Sequence, residues 1–414
     1  QAALQFSKKF RSLNQKSYKF KKKTNLGLKI IAMMMWLGAA LFIISAGTGK
    51  IIIDITSPDY KPVRISVESE DKKIEEVIKR NMSIIGYVEL SDKPDVKVSI
   101  RTSSDDEFIL QATMKEEKSP FLILKARGKN KEKVANELSN HLISKIAGVK
   151  TDIFGRTLYF LSNLEGKKEI FSVNFISGKI EKLVSAKSFI PSFSVSDDGS
   201  KIAFTHYDGK SYSLYILDTA SQKIYSTTLK TGNFLFPTFV NQNILIVPWN
   251  SGEGGSNLYI LNLNLKKFQK ISSGNSDVLG KTTPDGKKII FVSGREGLPQ
   301  IFIKDIGTGE EKKIPLSGRY NSSPDISPDG KYMVFTKLEG NKFNIYIYNF
   351  ETGQEKKIID FGSSENPTWT PDGNFIIFSS NADGDYDLYI TDKFGSFKRK
   401  ILDTKKDEIL GFIR

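Results

Sequence analysis

The chain has no cysteine among its 414 residues, which excludes disulfides, thiolate metal sites and cysteine nucleophiles. It has two histidines, His141 and His206, too few for a His-built metal centre and restrictive for a catalytic triad. No Gly-x-Ser-x-Gly nucleophile elbow occurs. Acidic side chains are missing altogether from residues 1–49, where eight Lys and one Arg hold +9 of the formal +14; the other 365 residues keep only +5. A body so mildly basic lacks the electrostatic footprint of a nucleic-acid binder. Long apolar runs are scarce too. The one that stands out is residues 30–46, 17 residues without a charge, behind Lys21, Lys22, Lys23 and Lys29 and ending beside the small residues Ser45, Ala46 and Gly47. Basic flank, apolar core and small residues are the parts of a secretory signal, and the run falls short of the roughly 20 residues of a membrane span. Residues 1–49 therefore read as an N-terminal extension and signal peptide cut near residues 46–49, with a retained anchor as the alternative. In either case the body is exported.

What is present is a repeat. Asp-Gly pairs with similar flanks fall at Asp198-Gly199, Asp285-Gly286, Asp329-Gly330 and Asp372-Gly373, separated by 87, 44 and 43 residues. The double gap predicts a degenerate copy near residue 242, met by Asn241, Gln242 and Asn243, and one step back from 198 lies Phe154-Gly155. Six copies follow, centred near 154, 198, 242, 285, 329 and 372. In the last, Pro367-Thr368-Trp369 reads as a short strand, Pro371-Asp372-Gly373 as a tight turn, and residues 375–379, 388–391 and 398–402 as three more strands. Pro fixes φ, Asp bonds back to the backbone and Gly takes positive φ. Four short strands in about 43 residues is the spacing of a propeller blade. The first copy lacks its own inner strand, and residues 408–414, with Ile409, Leu410, Phe412 and Ile413, are expected to supply it and close the ring.

Residues 50–150 have another texture. Strands are expected over 50–55, 63–67, 96–100, 108–114 and 121–126. Helices are expected over 72–85, with Ile74, Val77, Ile78, Met82 and Ile85 on one face, and over 131–146, with Val134, Leu138, Leu142 and Ile146 on one face. The fold class is thus mainly β: a small α/β domain over 50–150, a hinge at 148–152, and a six-bladed β-propeller over 151–414.

The turn sequence Pro-Asp-Gly-Lys-x-Ile-x-Phe over residues 284–291, and its copy over 328–335, resembles the repeat of the TolB-type propeller family. So do the order of signal, α/β domain and six blades, the junction Ile146-Ala147-Gly148-Val149-Lys150 with Phe154-Gly155-Arg156-Thr157, and the last-blade turn from Asp392 to Lys398. The resemblance covers about residues 50–414. It implies a non-enzymatic, monomeric periplasmic scaffold of the Tol–Pal system, without cofactor or metal, which supports outer-membrane integrity and cell division and meets membranes only through its partners. In that family the propeller binds the peptidoglycan-associated lipoprotein Pal through loops that join one blade's outer strand to the next blade's inner strand. By position those are Asn233, Phe234 and Phe236; Asp277, Val278 and Leu279; Tyr320, Asn321 and Ser322; and Ser364, Glu365 and Asn366. The family's free N-terminal segment reaches TolA; here that is Lys50, Ile51, Ile52, Ile53, Asp54 and Ile55. The sequence departs from the family before the fourth blade, where Leu279 and Gly280 replace an acidic residue and a Pro.

Other chemistry is thinner. Gly47-Thr48-Gly49-Lys50 is followed by Ile51, not the Ser or Thr of a phosphate loop. Asn381, Asp383, Asp385 and Asp387 alternate as calcium ligands do, yet lack the distal Glu and already read as a turn. Lys312-Lys313 and Lys356-Lys357 sit on outer strands, where lysine blunts an exposed edge. A glycan-binding propeller would use Trp249 or Trp369 for stacking, although a Pro-x-aromatic position reads Trp369 as buried between blades. A hydrolytic or lyase propeller would need a convergent set of channel ligands, of which the sequence offers Asp325 alone. The hydrolase class with such propellers also carries a separate catalytic domain, and none is expected here.

Overall fold

The computed structural model describes residues 60–175, 178–227, 231–252 and 254–414. The basic and apolar segment at residues 1–49 and the expected partner segment Lys50, Ile51, Ile52, Ile53, Asp54 and Ile55 lie outside the described residues. Within them no helix is long and apolar enough to cross a membrane.

The front domain is a five-stranded mixed sheet under two helices. Its elements are β1 (Val63–Ser69), α1 (Lys72–Ile84), β2 (Val88–Leu90), β3 (Val96–Ser104), β4 (Glu107–Met114), β5 (Leu122–Arg127) and α2 (Lys131–Ala147). The order across the sheet is β2-β1-β3-β4-β5. β1 runs parallel to β2 and β3, and the remaining pairs are antiparallel. Asp71 starts α1 by accepting from the Lys73 and Ile74 amides, Asn130 does the same for α2 through Lys133, and Gly148 ends α2 in the left-handed region. One face of the sheet (Ile65, Val67, Val96, Val98, Phe108, Leu110) meets Ile74, Ile78, Leu138 and Leu142 of the helices. β2 was not expected from the sequence: it has three residues and one buried side chain, Val88.

The remaining chain forms six antiparallel four-stranded sheets, in five of which the strands follow one another outward in chain order, the third with a short extra strand at Asn233–Phe234. The turns explain the repeat. At Asp329 a carboxylate oxygen accepts from Ser327 Oγ (2.6 Å) and the Lys331 amide (3.0 Å), Ser327 Oγ accepts from the Tyr332 amide (2.9 Å), and Gly330 takes φ 71°. Asp198, Asp285 and Asp372 repeat the pattern with Ser196, Thr283 and Thr370. Only Gly adopts that final φ at no steric cost.

The ring closes as the sequence suggests. Strand Glu408–Ile413 is the innermost strand of blade 1, antiparallel to Thr157–Ser162. Phe412 and Ile413 are buried, whereas Ile409 and Leu410 are half-buried.

The front domain packs on the turn side of blades 1 and 6. The Phe397 ring lies where a Cβ at Gly86 would be, Tyr87 Oη donates to Asp392 Oδ2 (3.1 Å), and Arg80 donates to the Phe175 carbonyl. The expected hinge is tied down there: Thr151 Oγ1 donates to Asp372 Oδ2 (2.6 Å), and Asn374 donates to the Lys150 carbonyl (2.7 Å). This leaves the other mouth of the ring free of the front domain.

Candidate functional site

The free mouth is built by a repeated backbone device. Each inner strand begins at this mouth and runs down the axis, in blades 2, 4, 5 and 6 toward an Asp-Gly turn. In five blades it breaks register with its neighbour on one residue held at positive φ: Phe236 (48°), Leu279 (55°), Ser323 (48°), Asn366 (53°) and Leu410 (53°). A non-glycine residue there costs roughly 1–2 kcal/mol, so five in step show that the architecture demands it. A bulge of this kind bends the strand and re-aims a side chain. Together with Ser192 of blade 2 these five residues line the mouth. Phe236 N donates to Ser192 Oγ (2.9 Å), and Ser323 Oγ donates to Asn366 Oδ1 (3.2 Å).

The sequence carried a usable signal for these bulges. The residue after each is Pro237, Pro324 or Pro367, or Gly280 or Gly411. A Cβ at Gly280 would press on Ile246, and one at Gly411 on Ile377 and Leu388. The departure at Leu279-Gly280 thus preserves the bulge by another route.

The loop residues expected from the resemblance divide into two sets. Phe236, Leu279 and Asn366 stand on the mouth, and Val278, Tyr320, Ser322 and Glu365 are half-buried near it. Phe234, Asp277, Asn321 and Ser364 are buried, and the polar ones are spent inside the protein. Asp277 accepts from the Gly274 amide and from Arg295 (3.0 Å). Asn321 donates to Gln300 Oε1 (2.9 Å) and the Ser317 carbonyl (3.1 Å), and Ser364 donates to the Phe361 carbonyl (2.6 Å). Half-buried Asn233 spends its Oδ1 on the Tyr212 amide (3.2 Å). Glu408 holds the corresponding place in blade 1; burial raises its pKa to about 7, above the usual carboxylate range.

The other candidate residues do not converge on a reaction centre. His141 is exposed on α2, with Nδ1 at 2.9 Å from the Glu137 carbonyl. His206 meets the edge of Tyr215, and burial lowers its pKa. Lys400 occupies the ground between Asp383 (3.1 Å) and Asp387 (2.7 Å), so an ammonium sits where a calcium ion would. Trp369 is buried among Ile345, Ile376 and Phe378, between blades 5 and 6, and Trp249 packs edge-on against Tyr259 and Phe268. Asp325 pairs with Lys281 across 3.0 Å.

Fold and site define a closed six-bladed propeller with an open mouth and a small α/β domain on its far side. Comparison with known proteins gives the family. The model described as the TolB beta propeller domain matches residues 181–408, more than half the chain, and the chain belongs to that family. It is 31% identical over 180 residues to a Protein TolB homolog of Chlorobium luteolum, covering 43% of this chain and 41% of the relative. It is 26% identical over 198 residues to the Tol-Pal system protein TolB of Francisella tularensis subsp. holarctica, covering 46% of each. The matched stretches thus span less than half the length of these relatives. The crystal structure of TolB from Acinetobacter baumannii superposes with a TM-score of 0.75 at 19% identity, covering 86% of this chain and 98% of that one; it shares the fold.

Proposed function

We propose that this protein is a non-enzymatic periplasmic scaffold of the Tol–Pal envelope system. Its propeller mouth docks a Pal-like peptidoglycan-associated lipoprotein, and its segment at residues 50–58 engages a TolA-like inner-membrane protein. In this role it supports outer-membrane integrity and cell division. Family membership and the Tol-Pal naming of relatives support the reading. The observation that carries it is the free mouth: a ring of half-buried bulge residues of mixed character, with the α/β domain packed on the opposite side. Phe236, Leu279 and Leu410 supply apolar area there and Asn366 a polar contact, the composition of a protein-docking patch.

The test is capture of the purified protein by an immobilised Pal-like lipoprotein. Binding at micromolar concentration or tighter is expected, with loss on Phe236→Asp. No capture of wild type at micromolar concentration would overturn the reading.

A further inference from the structure

The outer rim of the propeller carries a face that its own repeat does not call for. The turn between the third and fourth strands is built alike in four blades. An Asp or Asn there accepts on Oδ1 from the amide three residues on, at Ser221 (2.8 Å) in blade 2, Leu265 (2.9 Å) in blade 3, Thr308 (2.9 Å) in blade 4 and Thr352 (3.2 Å) in blade 5. A hydroxyl residue fills this place in three of the four blades; in blade 3 it is Leu265, 73% exposed. The next residue takes positive φ. It is Gly309 (76°) in blade 4, Gly353 (69°) in blade 5, Gln222 (57°) in blade 2 and Lys266 (49°) in blade 3. A side chain there carries a steric cost that glycine avoids.

The fourth strand departs as well. Glu311 of blade 4 holds Arg295 and Lys304, and Glu355 of blade 5 holds Lys337. The matching place is Phe268 in blade 3 and Ile224 in blade 2. Residues 219–276 contain five lysines and a single acid, Glu253. Lys223, Lys266, Lys267 and Lys270 are exposed and have no ion pair among the described residues. Ile224 and Tyr225, next to Lys223, are 48% and 44% exposed. Asp218, at the start of the blade 2 turn, is spent on the Ser221 amide and hydroxyl. The two blades are neighbours: Leu214 and Ile216 of blade 2 share a core with Leu245 and Leu261 of blade 3, and Lys201 Nζ donates to the Gln242 carbonyl (2.9 Å).

We propose that the rim of blades 2 and 3 binds an anionic phospholipid bilayer directly. Leu265 enters the headgroup layer, flanked by Ile224 and Tyr225, while Lys223, Lys266, Lys267 and Lys270 meet the lipid phosphates. Single apolar side chains on a convex rim suit a fluid surface that closes round each of them, and unpaired lysines supply the attraction. The face is separate from the mouth. The contact is direct, unlike the partner-mediated one that the family resemblance implies.

The chain has no cysteine, so Asn264→Cys gives one thiol beside Leu265 for an environment-sensitive fluorophore, and Ile123→Cys, at an exposed side chain of the front domain, is the control. Residues 1–49 carry +9 and an apolar run, so the readout is local emission rather than sedimentation. The labelled full chain is titrated with vesicles of phosphatidylglycerol and phosphatidylethanolamine, and with vesicles of phosphatidylcholine. A blue shift is expected at position 264 with the anionic vesicles only, lost at about 1 M salt, and none at position 123. Leu265→Thr with Lys266→Gly restores the turn of blades 4 and 5 and relieves the strained position, so the fold is kept. It should raise the lipid needed for half the shift at least about tenfold, as should Lys267→Glu with Lys270→Glu. No shift at 264, an equal shift at 123, or an undiminished titration in either double variant overturns the proposal. So does a shift given by soluble polyglutamate and not by vesicles, which would make the face a site for an acidic protein.

Discussion

Removal of residues 408–414 should open the ring. The strand they form is bound on one side by the ladder from Glu408↔Ser162 to Ile413↔Leu158 and by the reciprocal Thr157–Arg414 amide bonds at 2.9 and 3.0 Å. Phe412, 5% exposed, meets Phe193 of blade 2 edge-on at 5.0 Å, and Ile413 is fully buried in the core shared with the front domain. Full burial of such side chains contributes about 1.5–3 kcal/mol each. Counting Phe412 and Ile413 whole and Ile409 and Leu410 at half gives about 4.5–9 kcal/mol, against a total stability of about 5–15 kcal/mol. At about 2 °C per kcal/mol for a large domain, the deletion should lower Tm by on the order of 10 °C and expose the 157–162 edge to proteolysis. Phe412→Ala alone should cost about 3 kcal/mol. Leu265→Ala, at a side chain 73% exposed, should cost almost nothing. A deletion variant that melts with wild type would refute closure by this strand.

Glu408→Gln should change the pH profile of melting. The folded pKa of about 7 exceeds the usual value of 4.5 because burial penalises the charged form. The associated stability is therefore fully present below pH 4.5 and is lost as pH rises through 7. Melting curves at pH 5 and pH 8 should differ by about 1–2 kcal/mol less in the variant, after discounting for screening; equal profiles would contradict the buried neutral carboxyl. Lys337, 2% exposed, donates to Glu355 (2.6 Å) and Ser317 (2.7 Å), and its ammonium lies 3.9 Å from the centroid of the Tyr346 ring. Lys337→Ala should cost about 3–5 kcal/mol in chemical denaturation, while Lys313→Ala, in an exposed pair with Glu296, should cost under about 1 kcal/mol. Gly86→Ala would drive a methyl into the Phe397 ring. It should loosen the front domain from blade 6, read as faster proteolysis at residues 148–152, at a cost of about 1–3 kcal/mol.

The turns were legible because their chemistry is local. A Ser or Thr, then Asp and Gly, must lie in order within five residues, so four of the six copies declare themselves in sequence. Ring closure was legible because the first copy lacked a strand and the last had one to spare. The helices showed through their apolar spacing, whereas β2 offered one buried residue and no period. The mouth was harder. Asp277, Asn321 and Ser364 look like surface loop residues, yet their side chains are spent inside the protein, Asp277 on Arg295 of its own blade, Asn321 on Gln300 of the preceding blade and Ser364 on the Phe361 carbonyl of its own loop. Leu410 reads as a core residue but sits on the bulge, half-buried. Backbone left-handedness at non-glycine residues is a tertiary effect, and only the following Pro or Gly hints at it. Lys281 and Arg414 line one channel from blades far apart in the chain, and no local pattern joins them.

Hydrogen–deuterium exchange with and without a saturating Pal-like lipoprotein tests docking at the mouth most directly. Protection is expected in the inner-strand starts at residues 233–238, 277–281, 320–325 and 364–368, with none at the Asp-Gly turns 285–286, 329–330 and 372–373. Protection confined to those turns, or none anywhere on the propeller, would contradict it.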